Sequence, residues 1–187
     1  MAHLDCFSDV NTYAREYDKW RAEGDIFEFL RSDACPIPEH LRQMFFDLAD
    51  QEEEIFGSIR NLPVVLCHKD FWVQNILCAD GAIRIIDWDC AGWGYLGEDI
   101  ASLVIDETPP QRIEAYYRAL VPAYYRGLAE HMDVSGIQNR CIREMILIKF
   151  GYRLVRGYRH VKTAEAKQRH IAALQKIYEM ESSYANH

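Results

Sequence analysis

The sequence predicts a mainly α fold (α+β), in which one small β-hairpin interrupts a helical chain. Apolar residues recur at spacings of three and four on both sides of residues 61–96, which is the period of an amphipathic helix. Within that central stretch, two runs of strand-forming residues flank Asp80-Gly81, a strong signal for a two-residue hairpin turn. No internal repeat or low-complexity tract divides the chain.

The helices follow from the apolar periodicity. The first is interrupted at Gly24, and the loop after it contains Pro38, which can occupy the first turn of the next helix. Beyond the hairpin, Ile142, Met145 and Ile146 show the same helical spacing. The predicted helices are 12–31, 39–60, 97–106, 110–131, 137–159 and 163–182, and Val64-Val65-Leu66 is a predicted strand.

Composition and charge exclude several classes of protein. Of the 187 residues, 49% are hydrophobic and 27% are charged, as in globular domains and unlike disordered or collagen-like chains. A formal net charge of −8 argues against a nucleic-acid partner. The six cysteines form no C-x-x-C pair, the N-terminus is unlike a signal peptide, and no apolar run is long enough to span a membrane. We therefore expect a cytoplasmic protein with free thiols and no membrane partner.

Polar residues in the central stretch have the spacing of a catalytic loop. Residues 68–75 read HKDFWVQN, which places His68, Asp70 and Asn75 in a His-x-Asp-x4-Asn pattern. Asp87 follows in IIDWD, at the end of the second hairpin strand. Kinase catalytic loops followed by a metal-binding aspartate have this order. The alternative is that Asp70 and Asn75 are ordinary turn residues and Asp87 only ends a strand.

The expected hairpin register brings metal-type ligands to one end of the ribbon. With Asp80-Gly81 as the turn, Asn75 lies opposite Ile86 and therefore beside Asp87, and opposed residues have Cβ atoms about 5 Å apart. Amide and carboxylate oxygens suit Mg²⁺, which also bridges to phosphates. Asp70, on the loop that enters the same end, is placed to accept a proton from a hydroxyl nucleophile.

The central segment resembles a known enzyme family. HKDFWVQNILCADGAIRIIDWDCAGWGYLGEDIASLV is similar to the loop, hairpin and following helix of the aminoglycoside phosphotransferase family, with choline kinase and similar small-molecule kinases. The similarity is specific over residues 63–104. It implies the helical C-terminal lobe of a protein-kinase-like fold, with a small catalytic-loop β-hairpin. It also implies ATP and Mg²⁺ as cofactors and a small-molecule hydroxyl of the aminoglycoside, amino alcohol or sugar type as the acceptor.

The resemblance implies a role for each of these polar side chains. It makes Asp70 the catalytic base and His68 the residue that orients the loop. Asn75 and Asp87 are then the metal ligands, and Asp99 and Asp89 are supporting acids. Asp99 matches the aspartate that opens the next helix and supports the catalytic loop. An acid is also favourable by itself at a helix N-terminus.

The segment departs from its relatives at several positions. Lys69 and Gln74 stand where glycine is common, and Trp88-Asp89 replaces the Phe-Gly of protein kinases. Protein kinases usually place a lysine two residues after the catalytic aspartate, where this chain has Trp72. This difference favours a small-molecule substrate over a protein substrate.

The domain prediction is a single unit over residues 1–187. Residues 1–60 are expected to be helical, 61–96 to form the catalytic loop, hairpin and metal-binding loop, and 97–187 to form a helical substrate-side subdomain. Only 67 residues precede His68, and they include no strand-borne lysine for nucleotide phosphates. We therefore expect the N-terminal nucleotide lobe to be absent, with a homodimer or that missing lobe as the partner.

Two hypotheses of different class remain at the level of sequence. The first is the catalytic lobe of a small-molecule kinase. The second is a non-catalytic kinase-like binding or regulatory module, or an inactive truncated fragment. For the first hypothesis, Glu98, Asp106, Glu107 and Glu114 are candidates for binding a cationic substrate, although solvated surface is the commoner role of such residues.

Three further patterns are weaker. Residues 92–97 read GWGYLG and fit G-x-G-x-x-G, but they follow the hairpin and precede a helix, so they are unlike a phosphate-binding loop. Residues 87–89 fit the D-x-D of some glycosyltransferases, without the α/β domain that carries it. A metal site of Cys67, His68 and Cys90 is the least favoured of the three.

Overall fold

The computed structural model describes residues 14–15, 17–19 and 25–180. The fold is mainly α with small β-ribbons, which confirms the predicted class. In chain order, the helices are α1 (Asp25–Arg31), α2 (Glu39–Asp50), α3 (Glu52–Arg60), α4 (Glu98–Ile105), α5 (Pro110–Ala129), α6 (Ile142–Ile146), α7 (Tyr152–His160) and α8 (Ala164–Glu179). The strands are β1 (Val64–Cys67), β2 (Ile76–Ala79), β3 (Ala82–Ile85) and β4 (Gly92–Tyr95).

Strands β2 and β3 form the predicted hairpin. Asp80 and Gly81 both have positive φ angles, 53° and 74°, as the mirror-image turns of two-residue hairpins require. Ala79 pairs with Ala82, so the register is the one expected from the sequence. The Ile86 amide then donates to the Asn75 carbonyl at 3.0 Å, which extends the ribbon by one pair.

Strands β1 and β4 form a second antiparallel ribbon, in which Cys67 pairs with Gly92. The GWGYLG segment therefore begins as a strand of this ribbon, as expected from its position after the hairpin. Both ribbons expose large apolar side chains, among them Leu66, Ile83 and Trp93. The predicted homodimer or second lobe would have an apolar surface to cover here.

The helices share one hydrophobic core, which extends from Tyr17 to Met180. Tyr152 lies at its centre, where its ring contacts Tyr17, Phe27 and Phe45. Helix α4 packs against α5 and α6 and is buried along nearly all its length. Because the core surrounds α4, the acids in its first turn are held in fixed positions beneath the ribbons.

The single helix predicted over residues 39–60 is wrong, because the structure breaks it at Gln51. This residue has φ −106° and ψ 17°, so α2 ends and α3 begins there. The first turn of α3 is the acidic run Glu52–Glu54. Acidic side chains stabilise a helix N-terminus, and this run accordingly lies at the start of a new helix and not in the middle of one.

The helix predicted over 137–159 is also wrong at its start. Gly136, Asn139 and Cys141 have positive φ angles of 76°, 59° and 61°, so α6 begins only at Ile142. After α6 the chain makes a π-helical turn at Leu147–Gly151 before α7 continues. Periodicity alone cannot locate either feature, because the apolar spacing hardly changes across them.

The remaining helix predictions agree with the structure within a few residues, since α4, α5 and α8 lie within the predicted 97–106, 110–131 and 163–182. The first predicted helix, 12–31, is helical at 14–15, 17–19 and 25–31, and its predicted break at Gly24 lies outside the described residues. Within the described part of the chain, no helix is long and apolar enough to cross a membrane.

Candidate active site

The loop after β1 is held by a carboxylate from the first turn of α4. Asp99 accepts hydrogen bonds from the backbone amides of His68, at 2.7 Å, and Lys69, at 3.0 Å. Charge-assisted bonds of this kind are short and stronger than neutral ones, and the carboxylate also lies at the favourable end of the helix dipole. Asp99 therefore occupies the supporting position that the sequence analysis expects.

His68 connects this loop to the end of the hairpin. Its Nε2 lies 2.8 Å from the carbonyl oxygen of Ile86, so the ring proton is assigned to Nε2. The ring also lies 4.7 Å from that of Trp88, and the side chain is buried. His68 thus fixes the position of the chain on both sides of Asp87, which fits a positioning residue.

Asp70 and Asn75 are joined directly. The amide Nδ2 of Asn75 donates to the Asp70 carbonyl at 2.8 Å and to Asp70 Oδ2 at 3.1 Å. Asn75 is buried and sits in a short 3₁₀ turn, Val73–Asn75, that leads into β2. Since both bonds use the nitrogen, Oδ1 remains as the amide atom that can bind a cation, and Asp70 Oδ1 remains as the oxygen that can accept a proton.

Asp87 follows β3 in a left-handed conformation, with φ 63° and ψ 57°. It directly follows Ile86, the residue paired with Asn75, and it precedes a 3₁₀ turn at Trp88–Cys90. Asp87 and Asp89 are both exposed. An aspartate tolerates this backbone conformation better than most residues, and here the carboxylate is accessible in the residue that follows the pairing of Ile86 with Asn75.

The donor set fits a hard cation that keeps part of its water shell. Asn75 offers an amide oxygen and Asp87 a carboxylate, and Mg²⁺ is commonly held by one or two such ligands together with phosphates. Among the described residues, no group of three His, Cys, Asp or Glu side chains is arranged to hold a metal. The alternative site of Cys67, His68 and Cys90 therefore has no support, and burial also raises the pKa of the Cys67 thiol, which disfavours the thiolate.

Lys69 has an unexpected place in this site. Its φ is 70°, which explains why glycine is common at this position in similar sequences. Its ammonium lies 2.9 Å from Glu98 Oε2, with both side chains almost fully buried. Neither of these two atoms has a hydrogen-bond partner elsewhere in the described chain, so each charge is compensated there only by the other.

A second lysine supports the same loop from a distant helix. Lys149 Nζ lies 3.3 Å from the Lys69 carbonyl oxygen and 3.0 Å from Ser102 Oγ. Burial raises the pKa of Glu98, while the nearby Lys69 and Lys149 ammonium groups lower it. The loop that carries Asp70 is thus held by charged side chains from α4 and the π-helical turn.

Glu98 is therefore not placed as a substrate ligand, in contrast to the sequence expectation. The residue is buried, and its carboxylate forms an ion pair with Lys69. Glu114 is on the surface, where it pairs with Arg118 and Lys176. The structure brings Asp106 and Glu107 together after the end of α4, where both line a cavity of about 500 Å³.

Neither Lys69 nor Lys149 was predicted from the sequence to contribute to this site. For Lys69 a signal was present, since a lysine in a position that favours glycine needs a compensating partner. For Lys149 there was none, because the contact joins residues 80 positions apart.

Comparison with known proteins finds a family to which the chain is similar. A family model described as the phosphotransferase enzyme family matches residues 9–131, which include the catalytic loop, both ribbons and α4. No curated protein matches the chain.

Proposed function

The chain belongs to the phosphotransferase enzyme family, and from this premise we propose that it supplies the catalytic lobe of an ATP- and Mg²⁺-dependent small-molecule kinase. The acceptor in this proposal is a hydroxyl group of a small molecule. Trp72, in place of the lysine usual in protein kinases, supports a small acceptor over a protein one.

The observation that carries this proposal is that hydrogen bonds hold Asp70, Asn75 and His68 together at one end of the β2–β3 hairpin. Asn75 binds Asp70 through its amide nitrogen and pairs through its backbone with Ile86, the neighbour of Asp87. His68 then ties the loop to the same carbonyl end of β3. Preorganised groups of this kind stabilise a transition state without reorganising during the reaction.

Each residue has a distinct task in phosphoryl transfer. Bound Mg-ATP supplies the transferable phosphoryl group and the cation that neutralises its charge. Asp70 Oδ1 accepts the proton of the acceptor hydroxyl while the acceptor oxygen forms its bond to the γ-phosphorus and the bond to the bridging oxygen of ADP breaks. Asn75 Oδ1 and the Asp87 carboxylate are the groups that would hold Mg²⁺, and His68 positions the loop.

The proposal is tested by calorimetric titration of the full chain with Mg-ATP. We expect one-site binding, and Asp87→Asn should weaken it at least about tenfold, equivalent to about 1.4 kcal/mol. Asp80→Asn is the matched control, because it makes the same charge change in the same left-handed conformation at the far end of the hairpin. Absence of binding by the wild type, or equal binding by Asp87→Asn, would contradict the proposal and favour a non-catalytic module.

Catalysis is separated from binding by Asp70→Asn. This variant should still bind Mg-ATP, because Asp70 is proposed to touch the acceptor and not the metal. Its rate of phosphoryl transfer should fall by about two or more orders of magnitude, as expected when a general base is removed. A variant that transfers phosphate at the wild-type rate would show that Asp70 is not the base.

A further inference from the structure

A cavity of about 500 Å³ opens beside the candidate active site and has no role in the proposed chemistry so far. It lies where the end of α4 and the start of α5 meet α7 and α8. The charged groups that line it are Asp106 and Glu107 from the α4–α5 loop, Arg153 from α7, and Arg169 with His170 from α8. A cavity of this volume is in the range of small-molecule sites.

The cavity adjoins the catalytic loop. Lys149 contacts the carbonyl of Lys69, the residue before Asp70, and the next residue along the π-helical turn, Phe150, lines the cavity. Asp106 also lies close enough to Asp70 for the charge of Asp70 to help raise the pKa of Asp106, after the larger effect of burial. The cavity and the loop of Asp70 are thus connected through Lys149 and Phe150 and through the charges of Asp106 and Asp70.

The two arginines in the cavity have no carboxylate ion-pair partner among the described residues. The Arg153 guanidinium lies 5.2 Å from the centre of the Phe150 ring, which holds the side chain without neutralising its charge. Asp106 feels the charge of Arg153 but does not form an ion pair with it. Planar guanidinium groups without a partner are well suited to bind a carboxylate or a phosphate through paired hydrogen bonds.

The start of α5 and His170 complete the lining of the cavity. Residues Pro109–Gln111 at the start of α5 line the cavity, and the positive end of the helix dipole there faces the same space as Asp106 and Glu107, which precede it. His170 packs so closely on Gly157 that a Cβ there would lie 2.6 Å from His170 Cε1, which fixes α8 against α7. Burial and the Arg169 charge lower the pKa of His170, so it adds little positive charge itself.

The charges in the cavity are thus divided by element. The acids stand on the α4–α5 loop, near the catalytic loop, and the arginines stand on α7 and α8. A polycationic ligand would meet, beside the two acids, two guanidinium groups that form no ion pair among the described residues. A ligand with a hydroxyl at one end and an anionic group at the other matches this arrangement.

We propose that this cavity binds the acceptor and that the acceptor is anionic, with a carboxylate or phosphate group held by Arg153 and Arg169 while its hydroxyl reaches Asp70. This inference rests on the proposed kinase function for the role of Asp70. The binding of the anionic group rests only on the cavity and its charges.

The test uses a matched series of small alcohols on the full chain, with dissociation constants measured by NMR titration. Glycerol, D-glycerate and glycerol 3-phosphate differ only in having a neutral, carboxylate or phosphate end, and ethanolamine supplies a cationic alcohol. We expect at least one of the two anions to bind about tenfold or more tightly than glycerol and ethanolamine, as charge-assisted contacts predict. The stronger of the two shows which anion the site prefers. Equal or tighter binding of ethanolamine, or no binding of either anion, would overturn the proposal.

Two variants locate the binding site. Arg153→Gln and Arg169→Gln should each weaken binding of the preferred anion about tenfold. Arg126→Gln is the matched control, since Arg126 is an exposed residue 16 positions further along α5 than Pro110, about 24 Å away at 1.5 Å per residue. If all three variants bind the anion as the wild type does, the cavity is not the site.

The binding experiment separates this inference from the proposed function. Anion binding that depends on Arg153 and Arg169, in a chain that shows no Mg-ATP binding, would support the cavity and refute the kinase. Mg-ATP binding without any anion binding would support the kinase and refute the anion site in the cavity.

Discussion

Replacing Lys69 by glycine tests the buried ion pair beneath the catalytic loop. Two effects oppose each other in this variant. Removing one partner of a buried pair costs about 3–5 kcal/mol, because the other charge is left without compensation. Glycine relieves the left-handed backbone of residue 69, which costs other residues about 1–2 kcal/mol. The side chains are 8% and 3% exposed, so solvent screens the pair little, and we expect a net loss of about 2–3 kcal/mol in the free energy of unfolding.

The loss should depend on pH through Glu98. Burial raises the pKa of this carboxyl above its ordinary value of 4.5, so between pH 4.5 and that raised pKa the folded chain retains a proton that the unfolded chain has lost. The contribution of this group to stability therefore falls as the pH rises through its raised pKa. Without the Lys69 ammonium the pKa rises further, so K69G should lose more stability at about pH 8 than at about pH 5.

Urea unfolding, followed by tryptophan fluorescence at both pH values, measures these differences. The variants K69G, E98Q and K69G/E98Q complete a double-mutant cycle, and the coupling energy between the two sites should be about 1–3 kcal/mol. K69G/E98Q should be more stable than K69G, because the unpaired charge is gone. A K69G variant as stable as the wild type at both pH values would show that the ion pair does not hold the loop.

Three further outcomes follow from the same region. Gly94→Ala should destabilise the protein by about 1–3 kcal/mol in urea unfolding, because its Cβ would overlap the buried ion pair. Gly57→Ala, where nothing lies within 4 Å, is the control and should not destabilise. Asp99→Asn should expose the two loop amides to faster hydrogen exchange, since an amide oxygen cannot replace both carboxylate acceptors. A thiol reagent should label exposed Cys78 at least about tenfold faster than Cys67, whose pKa is raised by burial, and equal rates by mass spectrometry would contradict that burial.

The parts of the fold that could be predicted are those determined locally. The Asp80-Gly81 turn sets the hairpin register by itself. His68, Asp70 and Asn75 lie within eight consecutive residues, so their spacing is visible in the sequence. The errors lie where distant packing determines the backbone. The positive φ angle at Cys141 occurs in a fully buried residue before α6, and no apolar period shows it.

The candidate site divides in the same way. Spacing predicted the residues proposed for proton and metal binding, and the resemblance added Asp99. The buried charges beneath them come from elements that only the fold brings together, as when Lys149 reaches the catalytic loop. A sequence pattern can thus indicate the chemistry of this site before it can indicate what holds the site in place.

The π-helical turn Leu147–Gly151 links the catalytic loop to the cavity. Lys149 in this turn supports the loop, Phe150 lines the cavity, and Arg153 follows one turn later. Residues three and four positions apart lie on one face of a helix, so Lys149 and Arg153 are neighbours along this segment. One face of the segment therefore carries both the ammonium that contacts the loop before Asp70 and the guanidinium proposed to bind the acceptor.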